Sequence, residues 1–283
     1  MTTQHTPEYY DRQYNNRLFI PDAADYSARA IERSAAARRA LPCYLDVPYG
    51  ESPRERMDLF PARRSGAPVL CFIHGGYWRS REKSEFSFIA RPFVDAGCTV
   101  AIPTYDLAPA VTVETIVRQM LAAHAWLWRN VAAYNGDPAR IVVAGHSAGG
   151  HLTAMMACAQ WESHAADLPP DLVKGGLAVS GLYDLAPIVH VSFNSDVRLD
   201  AASARHASPV TYRPARPVPL VTAVGSLESD EFKRQARALA MAWPHCVRGH
   251  LDVPGCHHLS VLEALADPPN ALFAKAMALV EAA

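Results

Sequence analysis

Apolar runs with strand character alternate with helical patterns from about residue 43 to the C-terminus. That alternation restricts the chain to an α/β fold with a mostly parallel sheet and helices on both faces. The runs CYLDVPY (43–49) and RMDLF (56–60) are able to pair as a hairpin. PVLCFIH (68–74), CTVAIPTY (98–105), RIVVAGH (140–146), GGLAVSG (175–181), PLVTAVG (219–225) and VRGHLDVPG (247–255) follow, which predicts about eight strands. Helical patterns fall at about 83–96, 112–134, 148–161, 230–243 and 268–281, each long enough to cross between parallel strands. With 283 residues, half of them hydrophobic, the chain is large enough for one such domain.

Residues 1–40, rich in Tyr, Arg and Ala, precede the first run and are read as an N-terminal segment suited to cap a site, with residues 41–283 as the catalytic domain. The irregular, Pro-rich stretch 183–217 is long enough to contribute to a substrate-binding lid. A formal net charge of −1 without basic or acidic blocks argues against a nucleic-acid or membrane-surface partner. The expected partner is a small, roughly neutral molecule, and a homodimer stays open as an assembly. The start MTTQHTPEYYDRQYNNR lacks the basic and apolar regions of a signal peptide, and no apolar stretch approaches the ~20 residues of a membrane span. Cys43, Cys71, Cys98, Cys158, Cys246 and Cys256 lie far apart, several within apolar runs, and read as reduced thiols of a cytoplasmic protein.

The chemistry concentrates at the C-terminal ends of the strand-like runs, where open α/β sheets place their sites. Gly145-His146-Ser147-Ala148-Gly149 is a GxSxG motif between the strand RIVVA and the helical HLTAMMACAQW. A sharp strand-to-helix turn flanked by small residues exposes the serine hydroxyl, so Ser147 is the expected nucleophile. His74-Gly75-Gly76-Tyr77-Trp78 ends an upstream strand. Its glycines allow the N–H groups of Gly76 and Tyr77, with that of Ala148, to face a developing oxyanion.

A serine needs a base, and in this strand-turn-helix context the chain order is serine, acid, histidine. His258 follows the last strand-like run, with His257 as its rival. The loop after PLVTAVG offers Glu228, Asp230 and Glu231. Glu228 is favoured to hold the imidazole, Asp230 is the fallback, and Asp230 and Glu231 suit the first turn of a helix. His245, Cys246, His250, Cys256, His257 and His258 are metal-ligand types, but their spacing matches no compact zinc motif, so neither metal nor cofactor is expected. Trp78, Tyr105, Tyr183 and Phe193 are candidates to line an aromatic pocket.

HGGYW, GHSAGG, the run 228–235 (ESDEFKRQ) and the final His-His together resemble the kynurenine formamidase (arylformamidase) branch of the α/β-hydrolases. The wider hormone-sensitive-lipase-like esterases are similar too. The resemblance covers residues 40–283, and Tyr14-Asn15-Asn16-Arg17 is similar to the start of bacterial relatives. It implies the α/β-hydrolase fold, Ser147 as nucleophile, Glu228 as acid, His258 as base, and an oxyanion loop at Gly75, Gly76 and Tyr77. The formamidase pattern usually has Asp where this chain has Glu228, and a polar acidic residue where it has His257. The implied activity is cleavage of an ester or aryl-formamide through an acyl-enzyme. Arylformamidase comes first, a short-chain carboxylesterase second, and a non-catalytic binding module on the same fold third.

Overall fold

The structure, a computed structural model, describes residues 5–283 apart from the side chain of residue 17. Residues 1–4 of the N-terminal segment lie outside the described residues. Eight strands form one sheet: β1 (Tyr44–Pro48), β2 (Arg56–Phe60), β3 (Ala67–Ile73), β4 (Thr99–Pro103), β5 (Gly136–His146), β6 (Val173–Val179), β7 (Leu220–Gly225) and β8 (Val247–Val253). Their order is β1-β2-β4-β3-β5-β6-β7-β8. β2 runs antiparallel to both β1 and β4, and every other neighbouring pair is parallel.

The near-continuous apolar character of β3 through β7 follows from burial on both faces. Alternation sends Val69, Cys71, Ile73, Ile141 and Val143 into one core cluster, and Leu70, Phe72, Val142 and Ala144 into the other. The helices Val113–Asn130 and Ala148–Ala157 bury Ile116, Met120, Leu127, Leu152 and Met156 in the first. The helix Ala271–Glu281 closes the second with Leu272, Phe273, Ala276 and Val280. At the sheet edge, β8 alternates half-buried with exposed residues along most of its length.

Two stretches depart from the sequence reading. Instead of one helix over 83–96, the chain makes two 3-10 turns, Lys83–Glu85 and Ser87–Ile89, then the short helix Ala90–Asp95. Pro92 explains the break: it has no N–H to donate, and its ring opposes a continuous helix through the preceding turn. The segment before residue 41 forms the helices Pro7–Tyr14 and Ala23–Ala40. Tyr14 is fully buried in the first core cluster, while Ser34 Oγ accepts from the Phe88 N–H (3.2 Å) and Arg38 Nη1 donates to Ser87 Oγ (2.8 Å).

Candidate active site

Ser147 sits between β5 and the helix Ala148–Ala157 at φ 57°, ψ −119°, a conformation a non-glycine residue holds only when its surroundings force it. Two contacts fix the turn: the Ser147 N–H donates to Val179 O (2.9 Å), and its carbonyl accepts from His151 N (3.1 Å). Gly149 is obligatory, since a Cβ there would lie 1.9 Å from Ile73 O. Ser147 is 3% exposed, and its hydroxyl makes no hydrogen bond among the described residues. It lines a cavity shared with His258, Gly75, Gly76, Tyr77 and His146.

His258 and Glu228 meet at the ends of β8 and β7. The His258 Nδ1–H donates to Glu228 Oε2 at 2.6 Å. Glu228 Oε1 accepts from the Ser180 hydroxyl (2.5 Å) and the Gly225 N–H (2.7 Å). Three donors thus satisfy a carboxylate whose side chain is 0% exposed, as a buried charge requires. An imidazole bound at Nδ1 presents Nε2 as its free base. His257 is turned away: its Nδ1 accepts from the N–H groups of Leu259 (3.1 Å) and Ser260 (3.2 Å), and Tyr26 packs edge-on against its ring. Asp230 is exposed in the first turn of the helix Asp230–Ala242, and Glu231 pairs with Arg234.

The loop after β3 approaches Ser147 from the other side. A Cβ on Gly75 would lie 3.0 Å from Ser147 Cβ, and Gly76, Tyr77 and Trp78 run consecutively at φ +112°, 50° and 57°. The N–H groups of Gly76 and Tyr77 donate to no described residue. Beneath the loop, the His74 ring stacks between Tyr105 and Phe86. Its Nδ1–H donates to Gly75 O (2.8 Å), and its Nε2 faces the Thr104 hydroxyl (3.0 Å). Burial pushes its pKa down to about 3, which keeps it neutral.

Trp78, Tyr105 and Tyr183 do not line the cavity. Trp78 Nε1 donates to His151 Nδ1 (3.3 Å), Tyr105 OH to His74 O (2.9 Å) and Tyr183 OH to Ala178 O (3.3 Å), all within the core. Strand-end aromatics here turn under their loops, because a buried phenol or indole must find a hydrogen-bond partner. Phe193 does line the cavity, as do Tyr26, Tyr77, Phe86 and Phe88.

Several residues carried no separable sequence signal. His146 donates from Nε2 to the His258 carbonyl (2.7 Å) with ring centroids 4.5 Å apart, and burial holds its pKa well below the usual value. A second wall of the cavity comes from the N-terminal segment, through Asn15, Asn16, Tyr26, Ser27, Ala30 and Arg33. This segment is tied to both sides of the site. Tyr77 OH donates to Tyr14 O, Tyr14 OH donates to Glu231 (2.6 Å), and Ser229 Oγ donates to Gln13 O (2.7 Å). The cysteine and histidine candidates for a metal are dispersed: Cys246 is buried beside Trp243, His245 is exposed, and His250 faces Thr222.

A family model described as the alpha/beta hydrolase fold matches residues 70–242. Kynurenine formamidase from Salmo salar is 29% identical over 271 residues, which cover 92% of this chain and 90% of that protein. Its Danio rerio counterpart is 28% identical with the same coverage. Among solved structures, a presumptive thioesterase from Silicibacter sp. tm1040 aligns at a TM-score of 0.82 with 33% identity, covering 92% of this chain and 96% of that one.

Proposed function

Because this chain belongs to the alpha/beta hydrolase family, we propose that it cleaves an aryl-formamide through a formyl-enzyme on Ser147, as its similarity to kynurenine formamidases suggests. The hydrolase class and its arylformamidase or esterase type rest on family and relatives together. The observation that carries the serine mechanism is the buried Glu228–His258 pair at 2.6 Å, whose histidine lines the same cavity as a strained, uncommitted Ser147.

In the proposed reaction His258 Nε2 takes the Ser147 proton while Oγ attacks the formyl carbon. The carbonyl π electrons move to oxygen, and that oxyanion is met by the N–H groups of Gly76, Tyr77 and Ala148, an arrangement worth about 3 kcal/mol per donor. Collapse breaks the C–N bond, and the departing amine takes the proton from His258. Water, deprotonated by the same imidazole, then releases formate and restores Ser147. Glu228 fixes the imidazole tautomer and stabilises the imidazolium that forms.

Residues 5–40 act in this reading as the cap, since they form a wall of the cavity. The described cysteines are all free thiols, which supports a reducing, cytoplasmic setting. An esterase of short acyl chains is the second reading, and the 33% identity to the presumptive thioesterase favours it. Relative kcat/KM for N-formyl-kynurenine and p-nitrophenyl acetate decides between them. A formamidase favours the former strongly, whereas comparable or better turnover of the acetate assigns the protein to the esterases.

A further inference from the structure

The N-terminal wall of the cavity contains a polar group that the fold leaves unanswered. Asn16 lines the cavity, and its side-chain Nδ2 is buried without a partner among the described residues. Native folds rarely leave such a donor unmet unless a ligand or water completes it. The backbone around it is well anchored: the carbonyls of Gln13 and Tyr14 accept from Ser229 and Tyr77. The orphan is therefore held in place beside the site.

The surrounding lining defines what could answer it. Tyr26, Tyr77, Phe86, Phe88 and Phe193 make the cavity aromatic, and the Tyr77 and Phe193 rings lie 4.3 Å apart. Among the lining cations, Arg79 pairs with Asp196 and Arg81 with Glu85. Arg33 reaches Glu263 at 3.9 Å, a carboxylate that Arg29 already holds at 3.2 Å, and its guanidinium lies 4.9 Å from the centroid of the Phe88 ring. An unpaired amide donor with a loosely committed guanidinium on the same wall suits an oxygen acceptor and does not suit an ammonium group.

We propose that Asn16 is a substrate-binding residue, its Nδ2–H donating to a ketone or carboxylate oxygen carried on the aromatic part of the substrate, away from the scissile carbonyl. This assignment rests on the serine-hydrolase reading above, and it places selectivity on the N-terminal wall.

The test uses the full chain with phenyl acetate and its ortho, meta and para acetyl and carboxyl derivatives. The readout is the ratio of kcat/KM for each derivative to that for phenyl acetate, compared between wild type, Asn16→Ala and Asn16→Asp. For at least one derivative, both variants lower the ratio roughly tenfold, through KM rather than kcat. Asn16→Asp penalises the carboxyl compounds more than the acetyl ones, because it sets one carboxylate against another. A merely structural effect lowers all substrates together and leaves every ratio unchanged, and that result overturns the proposal. Wild-type protein that turns over neither these acetates nor the corresponding formanilides sinks the hydrolase reading itself, a separate outcome, and where only the formanilides react the same ratios are read on them.

Discussion

The two walls of the cavity are built on opposite principles. One consists of loops at the C-terminal ends of β3, β5 and β8, where Gly76, Ser147 and His258 are locked by positive-φ backbone and buried hydrogen bonds, His258 through Glu228 behind it at the end of β7. The other consists of helical segments before the sheet, whose cavity-facing residues Asn15, Asn16 and Arg33 are only partly buried or exposed. A rigid sheet positions reacting atoms, and an appended segment shapes what reaches them. Substitutions in the first wall should therefore strike kcat, and substitutions in the second should strike KM and stability.

The largest expected effect is on the first wall. Glu228→Gln keeps the shape but removes the charge that holds His258 Nδ1, and should lower kcat about 10³- to 10⁴-fold with the fold intact by circular dichroism. Asp230→Asn, at an exposed position, should change kcat by less than about twofold. The reverse pattern in steady-state kinetics would move the acid to Asp230 and break the assignment of roles within that wall.

Acid should weaken the sheet-borne wall next. Burial lowers the pKa of His74 to about 3 and of His124 and His151 to about 4, with His146 shifted in the same direction. Above the ordinary value of 6.5 these groups are neutral whether the chain is folded or not, so they leave stability independent of pH there. Below it the unfolded chain takes up protons that the folded one refuses until its own lower pKa is reached. Stability therefore falls with pH, by up to about 1.4 kcal/mol per pH unit for each histidine. Urea unfolding midpoints should drop from pH 7 to pH 5. A midpoint that holds or rises would contradict the buried neutral histidines.

The smallest effect belongs to the second wall. Tyr14→Phe removes a buried hydroxyl that donates to Glu231 and accepts from Gln235 Nε2 (2.9 Å), at a cost of about 1–2 kcal/mol. Thermal unfolding should shift down by a few degrees, roughly as that cost predicts, with KM moved more than kcat. A tenfold loss of kcat at unchanged thermal stability would show that this wall reaches into the chemistry, and the division between the walls would fail.

The same division governs what could be read from the sequence. All eight strands were legible: β3 through β7 because burial on both faces leaves near-continuous apolar runs, and β1, β2 and β8 as shorter runs bounded by turn residues. Ser147, Glu228 and His258 were legible as candidates because the strand-turn-helix context and the chain order select them, and the structure brings Glu228 and His258 together and places Ser147 in the same cavity. The N-terminal helices were not. The helix Ala23–Ala40 buries only Ser34 and Ala37, so its sequence shows no apolar stripe to announce it. Asn16 contributes through a partner it lacks, and no periodicity encodes that. Trp78, Tyr105 and Tyr183 carried the opposite lesson: an aromatic at a strand end is chosen by the hydrogen bond its polar atom must make, and here those bonds lie in the core.

The central claim is that Ser147 is activated by the Glu228–His258 pair, and mass spectrometry after fluorophosphonate treatment tests it most directly. The account predicts one adduct on Ser147, absent in Ser147→Ala and formed far more slowly in His258→Ala. A folded wild-type protein that takes no adduct, or one modified at another serine, would contradict it.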